Sequence, residues 1–287
     1  MRVSFLALAL AAGVPAGVEG QTLCKPSKSS HEADLFAHFS VPLAFSTAQG
    51  PNLARPGTVF LSLEGTYLPK IDDATATPTT CRPGKGPENT DLLFAFPRPR
   101  VGFALPDGVL LEVSWVPPVR INGVRPNLWA FSLGRSVSIH QRGSAMLMGR
   151  LHAEFGSILA PITCPKESLS DPASECFQGK RKSDDRFKPI IFGAELGLGW
   201  AMAGGRFRPY LGTGYNILHP RFRVNAVYSD GTVDHQRVEV NLARVVLMGG
   251  ATWAPSAFFS VSGEIYTAPA DAVTGRVRLS YAIKHPR

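Results

Sequence analysis

SAMLMGRLHAEFGS, residues 144–157, is the stretch whose reading decides the fold. Ala145, Leu147, Gly149, Leu151, Ala153 and Phe155 share one parity and are apolar or small. Met146, Met148, Arg150, His152 and Glu154 share the other and turn from apolar to charged. Successive side chains of a strand point to opposite faces, so this segment presents an apolar face and a partly charged one. Such a strand suits a wall between lipid and a polar interior.

The alternation recurs on both sides of it. Towards the N-terminus, residues 57–69, 98–105, 109–117 and 128–139 read as strands; towards the C-terminus, 190–202, 207–217, 236–253, 258–267 and 275–284 do. The 207–217 strand is open to continuation past Pro220 to Tyr228. Short connections join many of them: Pro106-Asp107-Gly108, the HQRG of 140–143, Ala203-Gly204-Gly205 and Ala254–Ser256, with a hairpin tip at Ser229-Asp230-Gly231. In the first of these, Gly108 tolerates the positive φ such a turn needs. The other connections are long and polar, chiefly 70–97 and 158–188. In 236–253 the apolar parity changes between Leu242 and Leu247, which predicts a bulge near Ala243 or Arg244. The count is about ten antiparallel strands, within a range of roughly eight to twelve, with short turns at one end and long loops at the other.

The bulk composition conceals this pattern. The chain is 44% hydrophobic with mean hydropathy +0.02, because a barrel strand averages its lipid face with its lumen face. The net charge of +8 is spread over strands and loops rather than gathered in one tract, and no nucleic-acid motif is present. Gly-x-Gly pairs at Gly197/Gly199 and Gly212/Gly214 lack a following helix and read as packing glycines, not phosphate loops.

Residues 1–20 carry Arg2, an apolar run Phe5–Ala12 and small residues before Gln21, the layout of a cleaved signal peptide. Residues 21–56 lack strand alternation and read as an N-terminal periplasmic arm or a plug; within them His31–Phe45 predicts a short amphipathic helix that Pro42 ends. His31 and His38 there read as surface residues. Four cysteines in an exported chain predict disulfides: Cys164 with Cys176 across one polar loop, and by remainder Cys24 with Cys81. No spacing supports a metal site, and no segment is long and apolar enough for a membrane helix.

Signal peptide, alternating segments such as PIIFGAELGLGWAMA (189–203), RPYLGTGYN (208–216) and FFSVSGEIY (258–266), and glycine-rich strand interiors together resemble the bacterial outer-membrane β-barrel superfamily, of the small porin-like or surface-protein type. The resemblance covers about residues 57–284. It implies an all-β, antiparallel up-and-down transmembrane barrel over 57–287, located in the cell outer membrane. It also implies outer-membrane lipid and lipopolysaccharide as surroundings, the barrel-insertion machinery as partner, and no cofactor. Tyr67, Trp115, Trp200 and Trp253, near strand ends, are then girdle residues.

The polar parity supplies the interior chemistry. Glu64, Glu112, Glu154, Glu195, Glu239 and Glu264 face inward on this reading, with Arg150, Arg223, Arg237, Arg276 and Arg278. A mixed ladder of both signs plugs a narrow barrel or lines a charge-selective path; unpaired charge in a dry interior is too costly to persist. The foremost expectation is therefore a structural or porin-like, non-enzymatic barrel. Two alternatives stand beside it. Arg150, His152 and Glu154 lie two apart on one face, so His152 poised by Glu154 is a general-base candidate for an outer-membrane hydrolase or acyltransferase; no nucleophile motif accompanies it. A soluble exported barrel binding an apolar ligand requires protein to cover Leu61, Leu111, Phe155, Phe192, Leu198 and Val261.

Overall fold

A computed structural model describes residues 23–140 and 144–284. The expected signal peptide and residues 141–143 of the HQRG turn lie outside the described residues.

Ten strands form the wall: β1 Val59–Tyr67, β2 Ala95–Ala104, β3 Val109–Val116, β4 Arg125–Ser138, β5 Ala145–Ala160, β6 Ile191–Trp200, β7 Phe207–Leu218, β8 Leu242–Trp253, β9 Phe259–Ala268 and β10 Ala272–Lys284. Each pairs antiparallel with its sequence neighbour, and β10 pairs with β1 (Leu279 opposite Leu63), so the sheet closes and no edge remains. Closure satisfies every strand's backbone hydrogen bonds internally, which is what allows strands to cross a bilayer.

The burial alternates as the pleat requires. On β5, Leu147, Leu151 and Phe155 are exposed, whereas Met146, Met148, Arg150, His152 and Glu154 are buried. Around the outside, Leu61, Leu133, Leu151, Leu196, Leu211, Val245, Ile265 and Val277 are all exposed. An apolar belt of this extent does not face water. It is the lipid-contacting surface of a transmembrane barrel, and among the described residues nothing covers it, which removes the soluble reading. Aromatic residues mark both rims. Trp115, Trp129, Phe131 and Phe155 form a stacked series near the long-loop end, with centroid spacings of 5.4, 6.4 and 5.7 Å. Phe207, Trp253 and Tyr281 stand near the short-turn end.

The predicted bulge near Ala243 is absent: β8 pairs with β7 in unbroken register from Leu242–Leu218 to Trp253–Phe207. The change of parity marks a change of sheet. Residues before Leu242 belong to a small sheet standing on the long-loop end, made of Leu23–Cys24, Asp185–Lys188, Arg221–Arg223 and Arg237–Glu239. It grows from the top of β5, where Ile158 pairs with Phe187. In the same way β7 ends at Leu218 rather than running on past Pro220.

Helix α1, His31–Leu43, fills the space behind that sheet. The Ser30 hydroxyl caps it by accepting from the Ala33 amide at 3.2 Å, and Pro42 falls in its last turn. Phe36 packs against Phe187 (6.1 Å) and Phe222 (6.4 Å), and Phe39 against Phe187 (6.1 Å). His38 is half buried, within hydrogen-bond distance of the carbonyls of Asp271 and Pro69.

Candidate functional site: a charged lumen threaded by the N-terminal segment

Two disulfides, Cys24–Cys81 and Cys164–Cys176, lie in the long-loop region. The first fixes the start of the described chain to the β1–β2 loop. From the end of α1 the chain turns into the barrel and runs down the lumen to the short-turn end, where Gly57 bonds Ala104 and β1 begins. Cys24 is thus on the long-loop side of the barrel.

Lumen side chains hold this segment along its length. Arg276 donates to the carbonyls of Val41 and Pro42 at 3.4 and 3.2 Å, and Arg98 to that of Leu43 at 2.6 Å. Below them Arg150 donates to the Phe45 carbonyl, Arg100 to that of Ser46 at 2.8 Å and Arg278 to that of Thr47 at 2.9 Å. Five arginines from three strands therefore grip one short run of backbone. The Phe45 ring sits among three of the guanidiniums, 4.1 Å from Arg100, 5.0 Å from Arg150 and 5.4 Å from Arg98. Further down, the Gly50 amide donates to Thr252 at 3.2 Å, and Arg208 donates to Asn52 at 2.7 Å. At Gly199 the wall and the segment meet so closely that a Cβ would lie 2.8 Å from the Pro51 ring.

Each arginine also meets a glutamate. Arg98 pairs with Glu154 at 2.9 Å, Arg100 with Glu64, Arg150 with Glu195 at 2.8 Å, Arg278 with Glu112 at 2.7 Å and Arg276 with Glu264 at 3.7 Å. Glu112 lies centrally, with Arg150 at 3.7 Å and Arg100 at 3.9 Å as well. Ser46 of the threaded segment and Tyr210 of β7 both donate to Glu264. These pairs bring together five positive and five negative groups inside the barrel, all buried. Opposite charges in contact, each with added hydrogen bonds, are the arrangement under which burial of ions is tolerated.

Of the residues assigned to the lumen from sequence, Glu64, Glu112, Arg150, Glu154, Glu195, Glu264, Arg276 and Arg278 lie inside it. Arg223, Arg237 and Glu239 do not. They stand on the outer face of the small sheet, because their parity was referred to a barrel strand that ends before them. Arg98 and Arg100, in the strand expected at 98–105, are lumen residues outside that set; Pro97 and Pro99 alternate with them. The signal was the alternation itself, since both prolines are exposed and both arginines buried. Phe45 and Ser46 had no strand pattern to reveal them.

His152 is buried with its Nε2 3.6 Å from Glu195, across the strand pair from Gly193, while Glu154 is engaged by Arg98. The shared strand face that raised a general-base reading therefore lies in the salt-bridged interior, and no Glu154–His152 pair forms.

A cavity of about 120 Å³ lies between α1 and the small sheet, lined by Phe36, Phe39, Leu43, Phe187, Phe222 and Val238. It is the apolar space above the ion-paired lumen.

The closed register and the outward apolar belt make this a closed antiparallel transmembrane β-barrel. Several solved barrels are similar to it. One is Ail, the attachment invasion locus protein of Yersinia pestis, with TM-score 0.32, 10% identity, 79% of this chain and 98% of that chain covered. Another is the toluene transporter TodX of Pseudomonas putida, with TM-score 0.29, 12% identity, and 87% and 72% covered. A loop-deletion mutant of OmpT, an outer membrane protein of Vibrio cholerae, gives 0.27, 10% identity, and 66% and 53%. No protein-family model matches the chain, and no curated protein matches it.

Proposed function

We propose that this chain is an integral outer-membrane barrel of structural or porin-like role whose lumen is closed by its own residues 44–56, with the long loops and the small sheet presented outside the cell. The observation that carries this reading is the grip of Arg98, Arg100, Arg150, Arg276 and Arg278 on the carbonyls of residues 41–47. A barrel of about ten strands has little interior beyond its own side chains, and here a segment of backbone occupies the centre too. Charge selection by a Glu/Arg lining requires that segment to leave. The aromatic rims and exposed belt give the barrel its place in a bilayer, and the two disulfides suit an oxidising compartment.

The test is a heat-modifiability gel on detergent-extracted membranes, followed by planar-bilayer recording of the purified full chain. A mobility shift without steady conductance is the expected result. Steady, discrete conductance from the unaltered protein overturns the closed reading in favour of an open porin, and absence of both shift and membrane association overturns the barrel reading itself.

A further inference from the structure

The small sheet carries an arrangement that stability alone opposes. Arg223 is directly opposite Arg186 on one side and Arg237 on the other, a row of three arginines across three neighbouring strands. Below it Arg221 lies opposite Lys188 and Glu239. Phe187, Phe222 and Val238, at alternate positions, are buried against α1, so the cations share the outward face. Like charges directly opposite on antiparallel strands repel. Among the described residues Arg186, Arg223, Arg237 and Lys188 form no ion pair, and Glu239 reaches only Arg221, at 3.9 Å. The five ion-paired lumen arginines are matched by five glutamates and add nothing to the chain's +8.

Beside this row lies a cleft of about 260 Å³ lined by Lys25, Lys28, His219, Arg221 and Glu239. Its height on the barrel fixes what it meets. Phe192 and Ile217, paired on β6 and β7, are exposed belt residues. On β5, which is continuous into the small sheet, Arg186 is opposite Leu159, four residues beyond the exposed Phe155, about 13 Å along the strand and less along the membrane normal once tilt is applied. That is the headgroup layer just past the hydrocarbon.

We propose that this face and cleft bind the phosphorylated headgroup of an anionic lipid in the leaflet on the long-loop side, the arginine row gripping phosphate oxygens in the forked, bidentate manner of guanidinium groups. Phosphate between the arginines converts cross-strand repulsion into shared attraction. The inference rests on the membrane-barrel reading above.

The full chain in phosphatidylcholine nanodiscs doped with diphosphoryl lipid A tests it, with retained lipid A counted by native mass spectrometry. Arg223→Gln is expected to lower retention about fivefold, the triple change of Arg186, Arg223 and Arg237 to Gln by well over tenfold, and the difference to shrink at high salt. Arg135→Gln, an exposed cation at the short-turn end, is the control and leaves retention unchanged. Equal retention by the unaltered and triple-variant proteins, both heat-modifiable, overturns the site while leaving the barrel standing. Capture of a soluble sulfated polymer with no lipid A retained reassigns the face to a polyanion outside the membrane and overturns the proposal. Failure of the unaltered protein to insert overturns the barrel reading, and this one with it.

Discussion

The guanidinium carbon of Arg100 lies 4.1 Å from the centre of the Phe45 ring, the shortest of three such contacts that ring makes. Arg100 comes from the wall and Phe45 from the threaded segment, so this pair joins the two. The same guanidinium donates to the Ser46 carbonyl and pairs with Glu64.

Arg100→Met removes the charge and leaves Glu64 short of its partner inside the barrel. Breaking a buried pair from one side costs about 3–5 kcal/mol, and urea unfolding in detergent micelles is expected to show a loss of that order. Phe45→Ala also destabilises, and because the two side chains share one contact the double variant loses less than the sum. Additive losses would mean that the segment and wall are energetically separate.

Leu196, 60% exposed at mid-β6, faces the bilayer. Leu196→Arg is expected to cost about 2–4 kcal/mol of folding into vesicles, against about 0–1 kcal/mol for Leu105→Arg in the turn that follows β2. Equal costs at the two positions would refute the placement of the belt.

Gly193 has no room for a side chain. A Cβ there would lie 2.2 Å from His152 Nε2 and 2.3 Å from Asn216 Oδ1, both buried. Gly193→Ala therefore forces the wall apart, and overpacking of this kind costs about 1–3 kcal/mol. Adding His152→Ala removes the nearer obstacle and is expected to restore part of the loss; thermal melting of the two variants measures it. A neutral Gly193→Ala would show that β6 stands farther from β5 and β7.

Glu32, in the first turn of α1, accepts the backbone amides of Thr79, Thr80 and Cys81 at 2.9, 2.6 and 2.8 Å. Burial alone would raise its pKa, but these amide bonds outweigh that and hold it below the ordinary carboxylate value. A group whose folded pKa is depressed contributes stability that is complete above its unfolded pKa and lost as pH falls through the folded one. The stability gap between the unaltered protein and Glu32→Gln, about 1–3 kcal/mol at neutral pH, is expected to close below about pH 4. Melts from pH 7 to pH 3 check it, and a gap independent of pH would place the effect in packing instead of charge.

The strands were legible because their signal is local. Leu147, Leu151 and Phe155 on one face and Arg150, His152 and Glu154 on the other follow from the pleat of a single strand, whatever it pairs with. The cysteine pairs were legible by count and loop context. Parity, however, names a face and not the sheet that owns it. Arg223, Arg237 and Glu239 have the alternation of wall residues and stand on the small sheet, because the chain leaves the barrel at Leu218 and returns at Leu242.

By itself, then, the sequence determined the alternation, the turns, the closed antiparallel class of fold and most of the charges that line the interior. The tertiary structure decided which arginine meets which glutamate, and that residues 44–56 run through the middle. Glu112 and Arg278, 2.7 Å apart, are brought together by closure of the wall across most of the chain. The threaded segment has no repeating pattern, since its order comes from carbonyls held by arginines of three separate strands. Pleat and turn act between neighbours in sequence, whereas pairing in the lumen and the path of the segment depend on groups that meet only once the barrel has closed.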